Sequence, residues 1–339
     1  MREAGPAPGD RRGQDGMPEV EVLLGTYNGE RFLREQVDSI LGQSYPRVRV
    51  TARDDGSRDG TVAILEEYER RYPGSFRVER GGAPTGGAKG NFLELMRAST
   101  AEYVCFADQD DVWAAEKVQL CVEAMRAMEA RHGRGMPMLV FTDLEVVDEG
   151  MQVLHESFWA QQGIEPERIG RLPCLLQQNV VTGCTAMLNR PLLRLSLRMP
   201  EEAFLHDRWI ALLASCFGRA TSLPERTVMY RQHGGNVVGA GEARTGRLPR
   251  WRDHRRRRAQ WEQSQRQAAG LLRVHGAELT DEQRRTVELF LEAGRRRSRV
   301  GRVMAMLRGG FFLTGLKRNL DMLWYLWEMK TGERSGGEG

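Results

Sequence analysis

Cysteine is sparse and never clustered. The five residues, Cys105, Cys121, Cys174, Cys184 and Cys216, are odd in number and include no Cys-x-x-Cys pair. A disulfide framework and a zinc knuckle are therefore excluded, and a reducing compartment is expected. No stretch is long and apolar enough to span a bilayer. Met1–Asp15 is rich in Gly, Pro, Arg and Asp and lacks the apolar centre of a signal peptide, so residues 1–17 are expected to be disordered, as are 331–339. No Walker-type glycine loop is present. A large excess of either charge is also lacking, the net being only +4. The basic runs Arg255–Arg258 and Arg295–Arg297 suit anionic lipid or nucleic acid, but are read first as solvated helix faces. No nucleic-acid partner is expected.

What is present is a globular composition, 40% hydrophobic and 28% charged, over 339 residues. Val20–Leu24 reads as a strand, followed by a polar turn and a helix with Phe32, Leu33, Val37, Ile40 and Leu41 on one face, Asn28 being a candidate cap. Val48, Val50 and Ala52 make a second strand, and Asp59-Gly60-Thr61 opens a second helix. A short strand at 76–79 leads to the glycine-rich loop Gly81–Gly90, a helix at 91–98 and a strand at 103–106. Later strands are expected at 138–142, 180–187 and 219–230, with an apolar helix at 210–217. The alternation implies an α/β fold with a mostly parallel sheet covered on both faces. From about 241 to 330 the pattern becomes helical, which places a boundary near residue 240.

The stretch Asp108-Gln109-Asp110-Asp111 puts three carboxylates at the end of an apolar strand. Such crowding costs free energy unless a cation sits among the charges, and a hard divalent ion prefers oxygen ligands. A plainer reading has Asp110 or Asp111 capping a helix that starts near Trp113. Thr26-Tyr27, Asp54-Asp55 and Asp108–Asp111 all fall at strand ends, where open α/β sheets bind ligands, so they converge on one crevice.

These motifs, Thr26-Tyr27-Asn28-Gly29, Asp54-Asp55-Gly56-Ser57, Gly87-Ala88-Lys89-Gly90-Asn91 and Asp108-Gln109-Asp110-Asp111, resemble the inverting nucleotide-sugar glycosyltransferases of family 2. The resemblance spans about Glu19 to Asn236 and leans toward the rhamnosyltransferase-like branch through Ala-Asp-Gln-Asp-Asp-Val-Trp, His206-Asp207 and His233-x-x-Asn236. It implies a GT-A (Rossmann-like) domain over 18–240, with a helical extension over 241–330 that the resemblance does not reach. It implies a UDP- or dTDP-sugar donor, a glycan or lipid-linked acceptor, and a divalent metal, Mn²⁺ or Mg²⁺, on the diphosphate. Asp110 takes the family's metal position and His233 its late histidine, with Asn236 supporting that loop. Asp108 would touch ribose or metal; for Asp111, capping and a direct role both stay open. One of Asp54 and Asp55 would accept the N3 hydrogen of uracil or thymine. Thr26 and Tyr27 would pack on base or ribose, and Lys89 and Asn91 would face diphosphate or ribose. Asn28, Glu30 and Gln109 lie within the same motifs and join the donor-binding set. Asp207 would be the base that takes the acceptor proton, kept ionised by a helix N-terminus. His206 would orient it or pack.

Two alternatives stay open at this point, a sugar nucleotidyltransferase and a non-catalytic anion- or membrane-binding protein. The loop Gly25–Glu30 lacks the basic residues the former would use on a triphosphate. Near the C-terminus, Phe311, Phe312, Leu313, Leu316, Leu320, Leu323, Trp324 and Trp327 form an apolar stripe beside Arg308, Lys317 and Arg318. That stripe fits an anionic membrane surface, placing the protein in the cytoplasm at the inner face of the cell membrane, and equally fits packing on the catalytic domain or a second subunit.

Overall fold

The structure, a computed structural model, describes residues 16–234, 254–296 and 298–329. Asn236, residues 1–15 and residues 330–339 lie outside the described residues. The described strands are β1 (Val20–Thr26), β2 (Val48–Asp54), β3 (Phe76–Val78), β4 (Tyr103–Ala107), β5 (Val112–Trp113), β6 (Met138–Val147), β7 (Val153–His155), β8 (Ala186–Asn189) and β9 (Arg219–Arg231). The helices are α1 (Leu33–Leu41), α2 (Thr61–Arg71), α3 (Ala88–Ala98), α4 (Lys117–His132), α5 (Phe158–Gln162), α6 (Leu172–Leu175), α7 (Arg190–Ser196), α8 (His206–Phe217), α9 (His254–His275), α10 (Asp281–Arg295), α11 (Arg299–Gly309) and α12 (Leu316–Glu328).

One sheet runs β3-β2-β1-β4-β8-β6-β9-β5, with β7 paired to β6. Its first four strands are parallel, as are β6 and β9; β8 enters antiparallel between β4 and β6. Alternation along the strands divides the core. Val20, Val22, Leu24, Cys105 and Ala107 face one layer with Leu33, Val37 and Val118; Leu23, Val104 and Phe106 face the other with Phe92, Trp209 and Leu213. Burial on both faces explains why β1 and β4 read as nearly unbroken apolar runs. The second layer does not stop at residue 240: Trp261, Leu271, Phe290, Met306 and Leu326 belong to the same packed cluster as Trp209 and Phe106.

Three local expectations are corrected. No helix starts near Trp113. Val112–Trp113 is a short strand because β9 is long enough to pair with it, and α4 begins only at Lys117. Val180–Met187 is not one strand: Gly183–Thr185 forms a tight 3₁₀ turn and β8 begins at Ala186. Asn28 does not cap α1, which starts at Leu33 with no side-chain cap. Its φ of +50° instead places it in the left-handed turn after β1.

Candidate active site

The parallel register sets Thr26 beside Asp54 and Leu24 beside Ala107, so Asp108 emerges next to the end of β1. A cavity of about 980 Å³ opens over these strand ends. Thr26, Tyr27, Asp55, Asn91, Asp108, Gln109 and Asp110 line it on the strand-end side; Asn179, Gly183, His206 and Asp207 line it from the segment before and into α8, and Gln260 and Arg318 reach it from α9 and α12. Eight of the thirteen residues expected to act thus meet in one place. Asn28, Glu30, Asp54 and Lys89 do not line it, nor does His233, which bonds to the lining residue Asp110.

The two carboxylates after β2 have separate tasks. Asp54 closes its own turn, accepting from Gly56 N (3.0 Å), Ser57 N (2.7 Å) and Thr26 Oγ1 (2.9 Å). Asp55 faces the cavity. Its Oδ1 accepts from Thr85 N (2.6 Å), Thr85 Oγ1 (2.9 Å) and Arg53 Nη1 (3.2 Å), and its Oδ2 from Gly87 N (2.9 Å). Burial would raise its pKa, but the bonds from Thr85, Gly87 and Arg53 together hold it below the ordinary carboxylate value. The glycine-rich loop is therefore folded onto Asp55, with Gly86 and Gly87 at the φ values of +77° and +153° that its path requires. Arg53 also donates to Asn91 Oδ1 (2.8 Å) and Ala83 O (3.1 Å). Asn91 Nδ2 donates to Arg53 O (3.1 Å). Lys89 turns away and clamps Glu201 O (2.8 Å) and Ala203 O (3.1 Å). Glu30 accepts from Gly60 N, and Asn28 Oδ1 from Arg58 N (2.8 Å), so both brace neighbouring turns. Gln109 exchanges two bonds with the Tyr27 backbone, at 2.7 and 2.9 Å, and ties the ends of β1 and β4 together.

The acidic cluster is held by residues from far along the chain. Gln36 Nε2 donates to Asp108 O (2.8 Å). Arg231, at the end of β9, donates through Nε to Asp110 O (2.9 Å) and through its backbone N to Asp111 Oδ1 (3.2 Å), while its guanidinium stacks on Phe32 at 4.3 Å. His233 Nε2 lies 2.6 Å from Asp110 Oδ2, and its ring also rests on Phe32. Burial, then the charges of Asp110 and Asp207, push Asp108 up to about 7. Asp111 is fully buried and raised for the same leading reason, then by Asp110 and Asp108. It precedes a strand and caps no helix. Its Oδ2 accepts no N–H or O–H bond among the described residues.

Ligand atoms of Asp108, Asp111 and Cys184 lie within 4.8 Å of one another. The Cys184 thiol is buried and its pKa raised, first by burial and then by these carboxylates, so it stays protonated and is a poor metal ligand. The carboxylates, crowded and partly unsatisfied, have the donor chemistry of a hard divalent cation, with His233 in reach of Asp110.

Asp207 sits in the first turn of α8, yet its pKa is raised to about 6. Burial outweighs the Arg208 amide, the Arg208 charge, the Asn179 side chain and the Gly183 amide, all of which act to lower it. The lowering that the helix terminus would bring is thus outweighed by desolvation. His206 does not orient it. The imidazole is wedged against Phe92 (4.2 Å between centroids) and Phe106 (4.8 Å), and neither ring nitrogen has a partner among the described residues. Burial lowers its pKa to about 3, so the ring is neutral. Gly183 is a glycine for this reason: a Cβ there would stand 2.9 Å from His206 Nε2. The group that positions Asp207 is Asn179, whose Nδ2 donates to Oδ2 (3.1 Å) while its Oδ1 accepts from Val181 N (3.1 Å). Sequence reasoning missed Asn179, Arg53 and Arg231. Only the two arginines left a signal, each standing at a strand end beside a motif residue, Arg53 before Asp54 and Arg231 two residues before His233.

Comparisons with known proteins agree with this architecture. Residues 21–136 match the family model "Glycosyl transferase family 2". TuaG of Bacillus subtilis, a glycosyltransferase assigned to teichuronic acid biosynthesis, is 32% identical over 220 residues, which cover 63% of this chain and 79% of TuaG. The dTDP-rhamnosyl transferase RfbG of Shigella flexneri is 26% identical over 231 residues, covering 64% of this chain and 74% of RfbG. Among solved structures, S. aureus TarS 1-349 in complex with UDP-GlcNAc superposes with a TM-score of 0.55 at 16% identity, over 91% of this chain and 89% of that one, a likeness of fold.

Proposed function

The chain belongs to glycosyl transferase family 2 and is a glycosyltransferase, and from that premise we propose that it moves a sugar, with inversion, from a UDP- or dTDP-linked donor to a hydroxyl of a cell-surface glycan or lipid-linked acceptor. Family membership sets aside the nucleotidyltransferase and the non-catalytic alternatives. The observation that carries the reading is that Asp55, Asp108, Asp110 and Asp207, distant in sequence, line one cavity. The similarity to a dTDP-rhamnosyl transferase makes dTDP-rhamnose the first donor to test.

Asp55 reads the base. A carboxylate offers about four acceptor directions, and among the described residues Oδ2 has only the Gly87 amide upon it, which leaves room for the N3–H of uracil or thymine. The exposed Tyr27 ring and Asn91 complete the nucleoside end. Asp110 with His233, and Asp108 beside them, would hold a divalent cation, whose charge would offset the growing charge of the diphosphate leaving group. Asp207 takes the proton of the acceptor hydroxyl. A carboxylate with a pKa of about 6 is ionised at neutral pH yet a better proton acceptor than a solvated one. Among the described residues no helix is long and apolar enough to cross a membrane; the proposed place of action is the cytoplasm, at the inner face of the cell membrane.

The test pairs ligand-induced thermal stabilisation with a transfer assay. UDP or dTDP with Mn²⁺ or Mg²⁺ should raise the melting temperature more than either component alone, and one UDP- or dTDP-sugar should be turned over. Stabilisation by GDP or CDP alone, with no response to uracil or thymine nucleotides, would overturn the donor assignment.

A further inference from the structure

Helices α11 and α12 are apolar on two sides. Their inner sides carry Ala305, Met306, Met322, Tyr325 and Leu326 into the core. Each also keeps a second apolar row in solvent. On α12 this row is Leu316, Leu320, Trp324 and Trp327, spaced by four, four and three residues and therefore on one side of the helix. Leu316 is 77% exposed, and Leu320 and Trp324 are each 58% exposed. On α11 the row is Val300, Met304 and Leu307, again at four and three. Core packing accounts for the inner sides and leaves these seven residues unexplained. Basic residues accompany both rows: Arg299 and Arg308 on α11, Lys317 and Arg318 at the start of α12. Arg299 and Arg308 are exposed and make no ion pair among the described residues; of the two acids in α12, Asp321 is paired with Arg257 at 2.7 Å and Glu328 stands exposed at the last position of the helix.

We propose that the outer rows of α11 and α12 are a docking face for an anionic phospholipid bilayer, lying in its interface without crossing it. Tryptophan and leucine beside arginine and lysine is the composition that settles at the boundary between headgroups and acyl chains. A second copy of the chain is the weaker occupant, since a twofold contact through these rows would gather the basic residues of both copies, Arg299, Arg308, Lys317 and Arg318, around one interface. The position gives the docking a purpose. Arg318 of α12 and Gln260 of α9 line the same cavity as Asp207, so a bilayer held by α12 lies beside the entrance used by the acceptor. This last step rests on the reading of the acceptor as lipid-linked; the docking itself does not.

The experiment uses the full chain and vesicles of phosphatidylcholine alone or mixed with phosphatidylglycerol, read by co-sedimentation and by the blue shift of tryptophan emission. Mixed vesicles should bind the protein, and phosphatidylcholine alone about tenfold less. Leu320→Ser/Trp324→Ser/Trp327→Ser should lower binding to mixed vesicles by at least about tenfold. Arg308→Glu/Lys317→Glu should remove the preference for the anionic lipid. Both variants should keep the melting temperature and the UDP- or dTDP-induced stabilisation of the parent, which separates loss of docking from failure of the donor assignment. Vesicle binding that is absent in the parent, or unchanged in the triple variant, overturns the proposal. So does a dimer, seen by sedimentation velocity, that the same three substitutions dissolve while lipid binding stays nil.

Discussion

On the strand-end wall of the cavity, carboxylates are surrounded by donors. Asp55 has four hydrogen bonds from Thr85, Gly87 and Arg53, and Arg231 and His233 hold the Asp110 loop. On the wall supplied by residues 179–207, Asp207 has one side-chain hydrogen-bond partner among the described residues, Asn179, and His206 has none. The pKa values follow, lowered at Asp55 and raised to about 6 at Asp207. A group that must keep its charge and its place while reading a ligand is best pre-bonded. A group that must accept a proton works better when the protein withholds some of the solvation that would make it inert.

Removing the groups that meet the reacting atoms should have the largest effect. Asp207→Asn preserves shape but cannot take a proton, and kcat should fall by about 10²–10⁴ with little change in donor affinity. Asp110→Ala should lower kcat by a similar factor and also abolish the response of thermal stability to Mn²⁺. Wild-type turnover in either variant would break the contrast between the two walls. Asp55→Asn should act on binding and stability together. It removes the counter-charge of the buried Arg53 and an acceptor for the loop, so KM for the donor should rise and folding should weaken by about 2–3 kcal/mol, read from denaturant melts.

The smallest effect is the most discriminating. As a base, Asp207 must be deprotonated, so kcat/KM should be flat above its pKa of about 6 and fall tenfold per pH unit below it. Because Asn179 donates to the ionised form, Asn179→Ala should move that limb to higher pH while leaving the plateau within about tenfold. A limb that stays in place would remove Asn179 from the argument.

The strand ends were legible because parallel α/β sheets impose position: an apolar run that stops in carboxylates tells where those carboxylates go. That logic reached Asp55, Asp108 and Asp110 with no knowledge of contacts, whereas Asp207, in the first turn of a helix, came from the resemblance alone. Strand-end logic could not tell Asp54 from Asp55, since the difference is whether a loop thirty residues later folds onto the side chain, as Thr85 and Gly87 do onto Asp55. It misplaced the helix after Asp111 because the competitor, pairing of Val112–Trp113 with β9, lies more than a hundred residues away. The resemblance gave Lys89 a ligand-facing role, where the structure uses its charge on two backbone carbonyls. Sequence reasoning took the direction of the Asp207 shift from the helix terminus, when burial, a tertiary property, is the larger influence.

The bed on which α8 lies has a practical side for anyone dividing this chain. Arg208 Nη2 donates to Ser264 Oγ (2.7 Å), the Phe204 amide to Gln267 Oε1 (3.2 Å), and Gln283 Nε2 to Cys216 O (2.8 Å), so both ends of the base-bearing helix are bolted to α9 and α10. A chimera spliced at residue 240 would exchange the footing of its own proton acceptor along with the tail. The seam that spares it runs farther on, beyond α10, where only the outer hairpin changes hands.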